Sequence, residues 1–157
     1  MLSRRRDSSL TLEEARGKAL DLLSRREHSK AELSRKLRSH GVEQEEANAT
    51  VAKLAEESLQ SDDRFLESFV SARISRGQGP RKVASELAAR GVSKESVVIA
   101  LSAVNWEKIA KGVRERRFGT VLPEDAKARV AQMRFLLQRG FSTRQAQTAV
   151  ETEDDQC

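Results

Sequence analysis

Residues 77–92 read Gly77-Gln78-Gly79-Pro80-Arg81-Lys82-Val83-Ala84-Ser85-Glu86-Leu87-Ala88-Ala89-Arg90-Gly91-Val92, and they contain the clearest structural signals of the chain. Two glycines and a proline predict a turn, and Pro80 suits the first position of a helix because an N–H there would have no partner. Val83 and Leu87 are four residues apart and therefore share one face of that helix. Gly91 is typical of a helix end, where the backbone turns left-handed. The stretch therefore predicts a short amphipathic helix between two turns.

The same pattern occurs three times along the chain. When the sequence is aligned on three glycines, a leucine precedes each glycine by four residues and an apolar residue directly follows it. Two further small or apolar positions match after each glycine. The aligned sets are Leu37, Leu87 and Leu136; Gly41, Gly91 and Gly140; Val42, Val92 and Phe141; Ala47, Val97 and Ala146; and Val51, Leu101 and Val150. This recurrence predicts tandem repeats, each of three helices.

Composition agrees with an all-α fold. Aromatic residues make up 4% of the chain and charged residues 34%, and only two prolines occur, a mixture that favours helix over sheet. The repeats and capping signals predict nine main helices. The expected organisation is a flexible basic N-terminal tail at 1–10, three-helix repeats at 11–57, 58–104 and 105–150, and an acidic C-terminal tail at 151–157.

Several features favour a cytoplasmic location. No apolar run is long enough to span a bilayer, and the charged start of the chain is not followed by the apolar segment of a secretory signal. The single cysteine, Cys157, has no partner for an internal disulfide, which fits a reducing compartment. We expect a monomer.

Positive charge is the main functional signal. The formal net charge is +5; residues 1–10 carry +2 and residues 151–157 carry −4, which leaves +7 for the body between them. A basic body indicates a polyanion or an acidic protein surface as partner, with a merely solvated surface as the alternative. Basic residues recur at comparable positions of the repeats, and part of this recurrence reflects the preference of cations for helix C-termini. The candidate binding residues are Arg25, Arg26, Arg73, Arg76, Arg81, Lys82, Arg90, Arg134 and Arg139.

Sets of residues that would carry catalysis or bind a metal are not evident. His28 and His40 have no cysteine or third histidine at ligand spacing, and both are expected to be exposed at helix ends. The sequence has no phosphate loop, and the Gly77–Gly79 turn is not preceded by a strand, which argues against dinucleotide binding. We therefore expect no enzymatic activity, no metal and no cofactor.

Short motifs in a specific order connect the chain to a known family. They are Leu23-Ser24-Arg25-Arg26-Glu27-His28-Ser29, Glu32-Leu33, Lys36-Leu37, Ser61-Asp62-Asp63-Arg64-Phe65, Gly77-Gln78-Gly79-Pro80, Glu86-Leu87, Gly91-Val92 and Arg134-Phe135-Leu136-Leu137-Gln138-Arg139-Gly140-Phe141. In this order and spacing, residues 12–150 resemble the RecX family of bacterial regulators of the RecA recombinase. Ser58 is a departure, because the family usually has glycine there.

The resemblance implies a fold and a function. The fold would be three tandem three-helix units in an elongated, curved array. The protein would bind RecA and the RecA–single-stranded DNA filament, and would inhibit the recombinase, ATPase and co-protease activities of RecA without catalysing a reaction itself. The alternative is a helical-repeat protein that acts directly on DNA. Its candidate recognition helices, rich in Ala, Ser, Glu, Arg and Lys, would hold phosphates better than they would read bases.

Overall fold

The computed structural model describes residues 10–151, and this part of the chain is all-α, as predicted. It contains nine helices and no strand, and none of these helices is long and apolar enough to cross a bilayer. The predicted tails at 1–10 and 151–157 lie almost wholly outside the described residues. The helices are α1 (Leu12–Arg25), α2 (Lys30–Ser39), α3 (Gln44–Glu56), α4 (Asp62–Ser75), α5 (Pro80–Ala89), α6 (Lys94–Ser102), α7 (Trp106–Phe118), α8 (Ala126–Gln138) and α9 (Thr143–Val150).

The helices form two compact units, and the division falls inside α4: the first unit ends at Ser68 and the second begins at Phe69. In the first unit, α1, α2 and α3 pack against one another around a small apolar core. Its buried members include the first-repeat positions that the glycine alignment identified. The core consists of Ala15, Ala19, Leu22, Leu33, Leu37, Val42, Ala47, Val51 and Leu54.

The second unit contains the second half of α4 and the whole of α5 to α9. Its main packing pairs are α7 with α9, α8 with α9, and α5 with α6. Leu87 and Leu136, the aligned leucines, are both fully buried, as the repeat predicts. Not every apolar residue of α6 is buried: Val97 belongs to the core, whereas its neighbour Val98 is 59% exposed. The buried apolar residues of this unit are Val70, Val83, Leu87, Val97, Trp106, Ala110, Val113, Leu136, Phe141, Ala146, Ala149 and Val150.

Side-chain caps define most helix starts. Ser29, Ser93 and Ser142 each accept the backbone N–H of the residue three positions later, and Gln145 completes the capping box at Ser142. Helix α8 begins after Pro123, although proline is common in the first turn of a helix. Asp125 is the N-cap and accepts the Ala128 N–H at 2.6 Å, so Pro123 belongs to the preceding loop.

The glycines that end the repeated helices have the backbone conformation that the sequence predicts. Gly41, Gly91 and Gly140 have φ values of 93°, 82° and 100°. A residue with a side chain is disfavoured at positive φ, even where there is space for the side chain. Gly91 is the clearest case, because a Cβ there would meet no atom within 4 Å.

We predict that Gly91→Val destabilises the protein by about 1–3 kcal/mol, because a β-branched residue resists positive φ. Urea unfolding measures the loss, and Gly91→Asn is the matched control, since asparagine tolerates this conformation better. Equal midpoints for the valine variant and the parent would show that this helix end does not require a left-handed residue.

His28 is buried, contrary to the expectation that it is exposed. It is 1% exposed, with Nδ1 3.0 Å from the carbonyl oxygen of Arg26 and Nε2 3.2 Å from Nζ of Lys36. Burial, the largest influence, lowers the pKa of His28 below its ordinary value, so the imidazole ring is neutral at pH 7. His40 is exposed as expected. Across residues 10–151, no cluster of three or more His, Cys, Asp or Glu residues is arranged to hold a metal.

A candidate basic interface

The two units carry formal net charges of opposite sign. Residues 69–151 contain 16 lysines and arginines against 7 aspartates and glutamates, a formal net charge of +9. Residues 10–68 contain 10 against 13, a net charge of −3. A surface of high positive charge attracts polyanions. The second unit is therefore the candidate binding region, and seven of the nine basic residues singled out from the sequence belong to it.

Two turns of the second unit are joined backbone to backbone. The N–H of Gly79 donates to the carbonyl oxygen of Arg139 at 2.7 Å, and the N–H of Arg81 donates to that of Gly140 at 2.9 Å. A Cβ on Gly79 would lie 2.4 Å from the carbonyl carbon of Gly140. A Cβ on Gly140 would lie 2.6 Å from the Cβ of Lys82. This contact, which we call the glycine clasp and define by Gly79, Arg81, Arg139 and Gly140, requires glycine on both sides.

The clasp gathers four of the predicted binding residues. Arg76 directly precedes the Gly77–Pro80 turn, and Arg81 and Lys82 follow it; all three are exposed. Arg139 comes from the other turn and donates from Nη1 to the carbonyl oxygen of Arg76 at 3.4 Å. Residues that are far apart in sequence thus form one basic surface at the start of α5 and the end of α8.

Two other candidates are engaged in packing. The guanidinium carbons of Arg73 and Arg90 lie 4.5 and 4.8 Å from the ring centroid of Phe69. Arg73 Nε forms an ion pair with Glu86 Oε2 at 2.7 Å, and Arg90 Nη1 donates to the Glu86 carbonyl oxygen at 3.3 Å. Both arginines are half-buried. Arg90 therefore contributes to the attachment of α5 to α4 as well as to surface charge.

The three remaining candidates are not clasp residues. Arg25, in the first unit, pairs with Asp21 at 3.2 Å and is largely exposed. Arg26, also in the first unit, forms a hydrogen-bonded ion pair with the buried carboxylate of Glu32. Arg134 is exposed on α8. The acidic partners of Arg25 and Arg26 partly neutralise them.

Sequence reasoning missed the role of Arg114. Arg114 is close to Arg116 and Arg117 in the sequence, where all three have the residue type of a solvated surface, yet Arg114 is 0% exposed. Its Nη1 donates to the carbonyl oxygens of Gly119 and Val121 at 3.3 and 3.4 Å, which holds the loop after α7. One signal of this burial was present in the sequence: Arg114 comes four residues after Ala110, which is buried, so the two residues lie on the same face of α7.

Within residues 10–151, nine helices in repeated three-helix units define an all-α repeat protein, and its strongly basic second unit carries a candidate interaction surface. Family models named RecX, first, second and third three-helix domain, match residues 15–54, 61–101 and 107–150. The chain belongs to the RecX family.

Relatives and solved structures agree with this assignment. A protein named Regulatory protein RecX from Pseudomonas fluorescens is 42% identical over 134 residues, covering 84% of this chain and 86% of the relative. One of the same name from Halorhodospira halophila is 41% identical over 145 residues, covering 91% and 90%. The crystal structure of RecX from Lactobacillus salivarius matches with a TM-score of 0.75 and 20% identity over 88% of this chain and 94% of that one, which shows a shared fold. The relatives are named as regulatory proteins rather than enzymes.

Proposed function

We propose that this protein binds the filament that RecA forms on single-stranded DNA and inhibits the recombinase, ATPase and co-protease activities of RecA. The observation that carries the proposal is membership of the RecX family over most of the chain. The net charge of +9 in the second unit supports it, because the filament contains a polyanion. The protein would act in the cytoplasm, as a monomer, in homologous recombination, DNA repair and the SOS response.

The contact that the geometry favours most is the basic surface at the clasp, which we call the clasp surface and which consists of Arg76, Arg81, Lys82 and Arg139. Arg76, Arg81 and Lys82 are exposed. The N–H of Arg81 donates to the carbonyl oxygen of Gly140, and the carbonyl oxygen of Arg76 accepts a hydrogen bond from Arg139, so the backbone of this segment is held in place. Binding at a fixed backbone orders only side chains, so less conformational entropy is lost than in a mobile loop. Neighbouring basic groups also bind one polyanion more tightly than each would alone, because each contact raises the effective concentration for the next contact.

Charge reversal of the clasp surface is expected to abolish inhibition. The variant Arg76→Glu/Arg81→Glu/Lys82→Glu places three negative charges where the filament would meet positive ones, so repulsion replaces attraction. The measurement is the DNA-dependent ATPase rate of RecA as the parent or the variant is added at increasing concentration. The residues chosen are exposed, and thermal melts verify that the variant remains folded.

The matched control is Lys94→Glu/Lys108→Glu/Lys111→Glu, which makes the same change in net charge at exposed positions of the second unit. It should retain most of the inhibition. If the clasp variant is folded and inhibits as strongly as the parent, the clasp is not the contact surface. If both variants lose inhibition equally, overall charge rather than this surface is responsible.

Direct action on DNA is the second candidate function, because the net charge of +9 in the second unit also suits bare DNA. Binding of the protein to RecA filaments, to free RecA and to bare single-stranded DNA, measured side by side, separates the two. Tighter binding to filaments than to either component supports the proposed function; equal binding to bare DNA supports the alternative.

A further inference from the structure

A shallow cleft of about 220 Å³ lies beside the clasp, within the second unit, where the end of α4 meets α7 and α8. Four arginines contribute to its walls, and no acidic residue of the described chain does. Phe135 and Val113 supply apolar wall. The arginines are Arg76, Arg116, Arg117 and Arg139. Arg116 and Arg117 are not among the binding residues that the sequence singled out, so the cleft extends the candidate interface to α7.

Aromatic rings orient two of these arginines. The guanidinium carbons of Arg117 and Arg139 lie 5.8 and 5.0 Å from the ring centroid of Phe135. Phe118 packs edge-on against Phe135 at a centroid distance of 5.3 Å, which fixes the ring. Contact with a ring uses the flat face of a guanidinium and leaves the N–H groups at its edge to donate. The cleft is therefore organised before any ligand binds.

The charges of the cleft are not balanced within it. Glu115, the acidic neighbour on α7, lies 3.9 Å from Nη2 of buried Arg114 and does not line the cleft. Several guanidinium groups that share one concave surface repel one another, and a bound anion relieves that repulsion. Arginine's fork of N–H donors matches the oxygens of phosphate and carboxylate groups.

We propose that this arginine cleft binds the phosphate groups of single-stranded nucleic acid. A nucleic acid strand carries one negative charge per nucleotide, so neighbouring phosphates can engage several arginines at once, whereas one acidic side chain brings one charge. The guanidinium groups of Arg117 and Arg139 lie over the ring of Phe135, which leaves that ring poorly placed to stack on bases. Binding is therefore independent of base sequence. The inference extends the proposed function with a DNA contact that does not require RecA.

The test is binding of the full chain to a fluorescent oligothymidylate of about 30 nucleotides, followed by anisotropy at several salt concentrations. Arg116→Glu/Arg117→Glu should weaken binding by about tenfold or more and reduce the slope of log K against log salt by roughly 1.4, since each lost phosphate contact removes about 0.7. Lys108→Glu/Lys111→Glu is the control: it makes the same charge change on the same helix, outside the cleft.

Two results would overturn the inference. One is parent-like oligonucleotide binding by the folded cleft variant; if that variant has also lost the inhibition of RecA, the cleft is assigned to an acidic protein segment instead. The other is equal weakening by the control, which would indicate net charge alone. If the glutamate pair does not fold, Arg116→Gln/Arg117→Gln removes the same charges with less repulsion. Failure of the parent to inhibit RecA would refute the proposed function and leave this measurement intact.

Discussion

Gly79→Ala is expected to disrupt the second unit almost completely, with a loss of at least about 3 kcal/mol in the free energy of unfolding. The added Cβ would stand 2.4 Å from the carbonyl carbon of Gly140 and from the backbone nitrogen of Phe141. Neither atom belongs to a side chain that could rotate away. The two turns would have to separate, which breaks the hydrogen bonds from Gly79 and Arg81.

The measurement is urea unfolding followed by the fluorescence of Trp106, the single tryptophan, which is buried in the second unit. Gly112→Ala is the matched control, because a Cβ there meets no atom within 4 Å and the residue is inside α7. Alanine should stabilise that helix by roughly 0.5–1 kcal/mol. Similar midpoints for the two alanine variants would mean that the clasp is not closed in solution.

Leu87→Ala is expected to cost about 2–5 kcal/mol, because it leaves a cavity in a fully buried position of α5. The same experiment measures the loss. Leu137→Ala removes the same atoms from a side chain that is 39% exposed, and should cost about 1 kcal/mol or less. A small loss for Leu87→Ala, comparable with that of Leu137→Ala, would contradict the burial of the repeat leucines.

The helices and much of the core were predictable because their signals are local. The spacing of Val83, Leu87 and Gly91 identifies a helix, its buried face and its end within a few residues. Repetition then extends the interpretation to the equivalent positions around Gly41 and Gly140. The third repeat is the weakest match in sequence, since Gln132 occupies the position of Val83, yet Leu136 is buried as fully as Leu87.

The candidate interface was predictable only in part. Arg76, Arg81 and Lys82 are near one another in sequence, but their contact with the turn at Arg139 depends on packing between distant segments. The net charge of the body as a whole does not reveal that the first unit carries net negative charge and the second net positive charge. The burial of Arg114 and of His28 was not predictable for one shared reason. Arginine and histidine usually lie at the surface, and each is buried here only because a backbone carbonyl oxygen satisfies its side chain, a contact that the sequence does not show.

The glycine clasp also has a consequence for how the protein folds. The hydrogen bond from Arg139 to Arg76 joins residues 63 positions apart, and closing a loop of that length costs on the order of 3–4 kcal/mol in chain entropy. Repeat arrays that contact only their neighbours through local elements can grow one unit at a time. Here the turn before α5 gains its partners only after α8 has been synthesised, so the second unit should fold late, slowly and as one cooperative step.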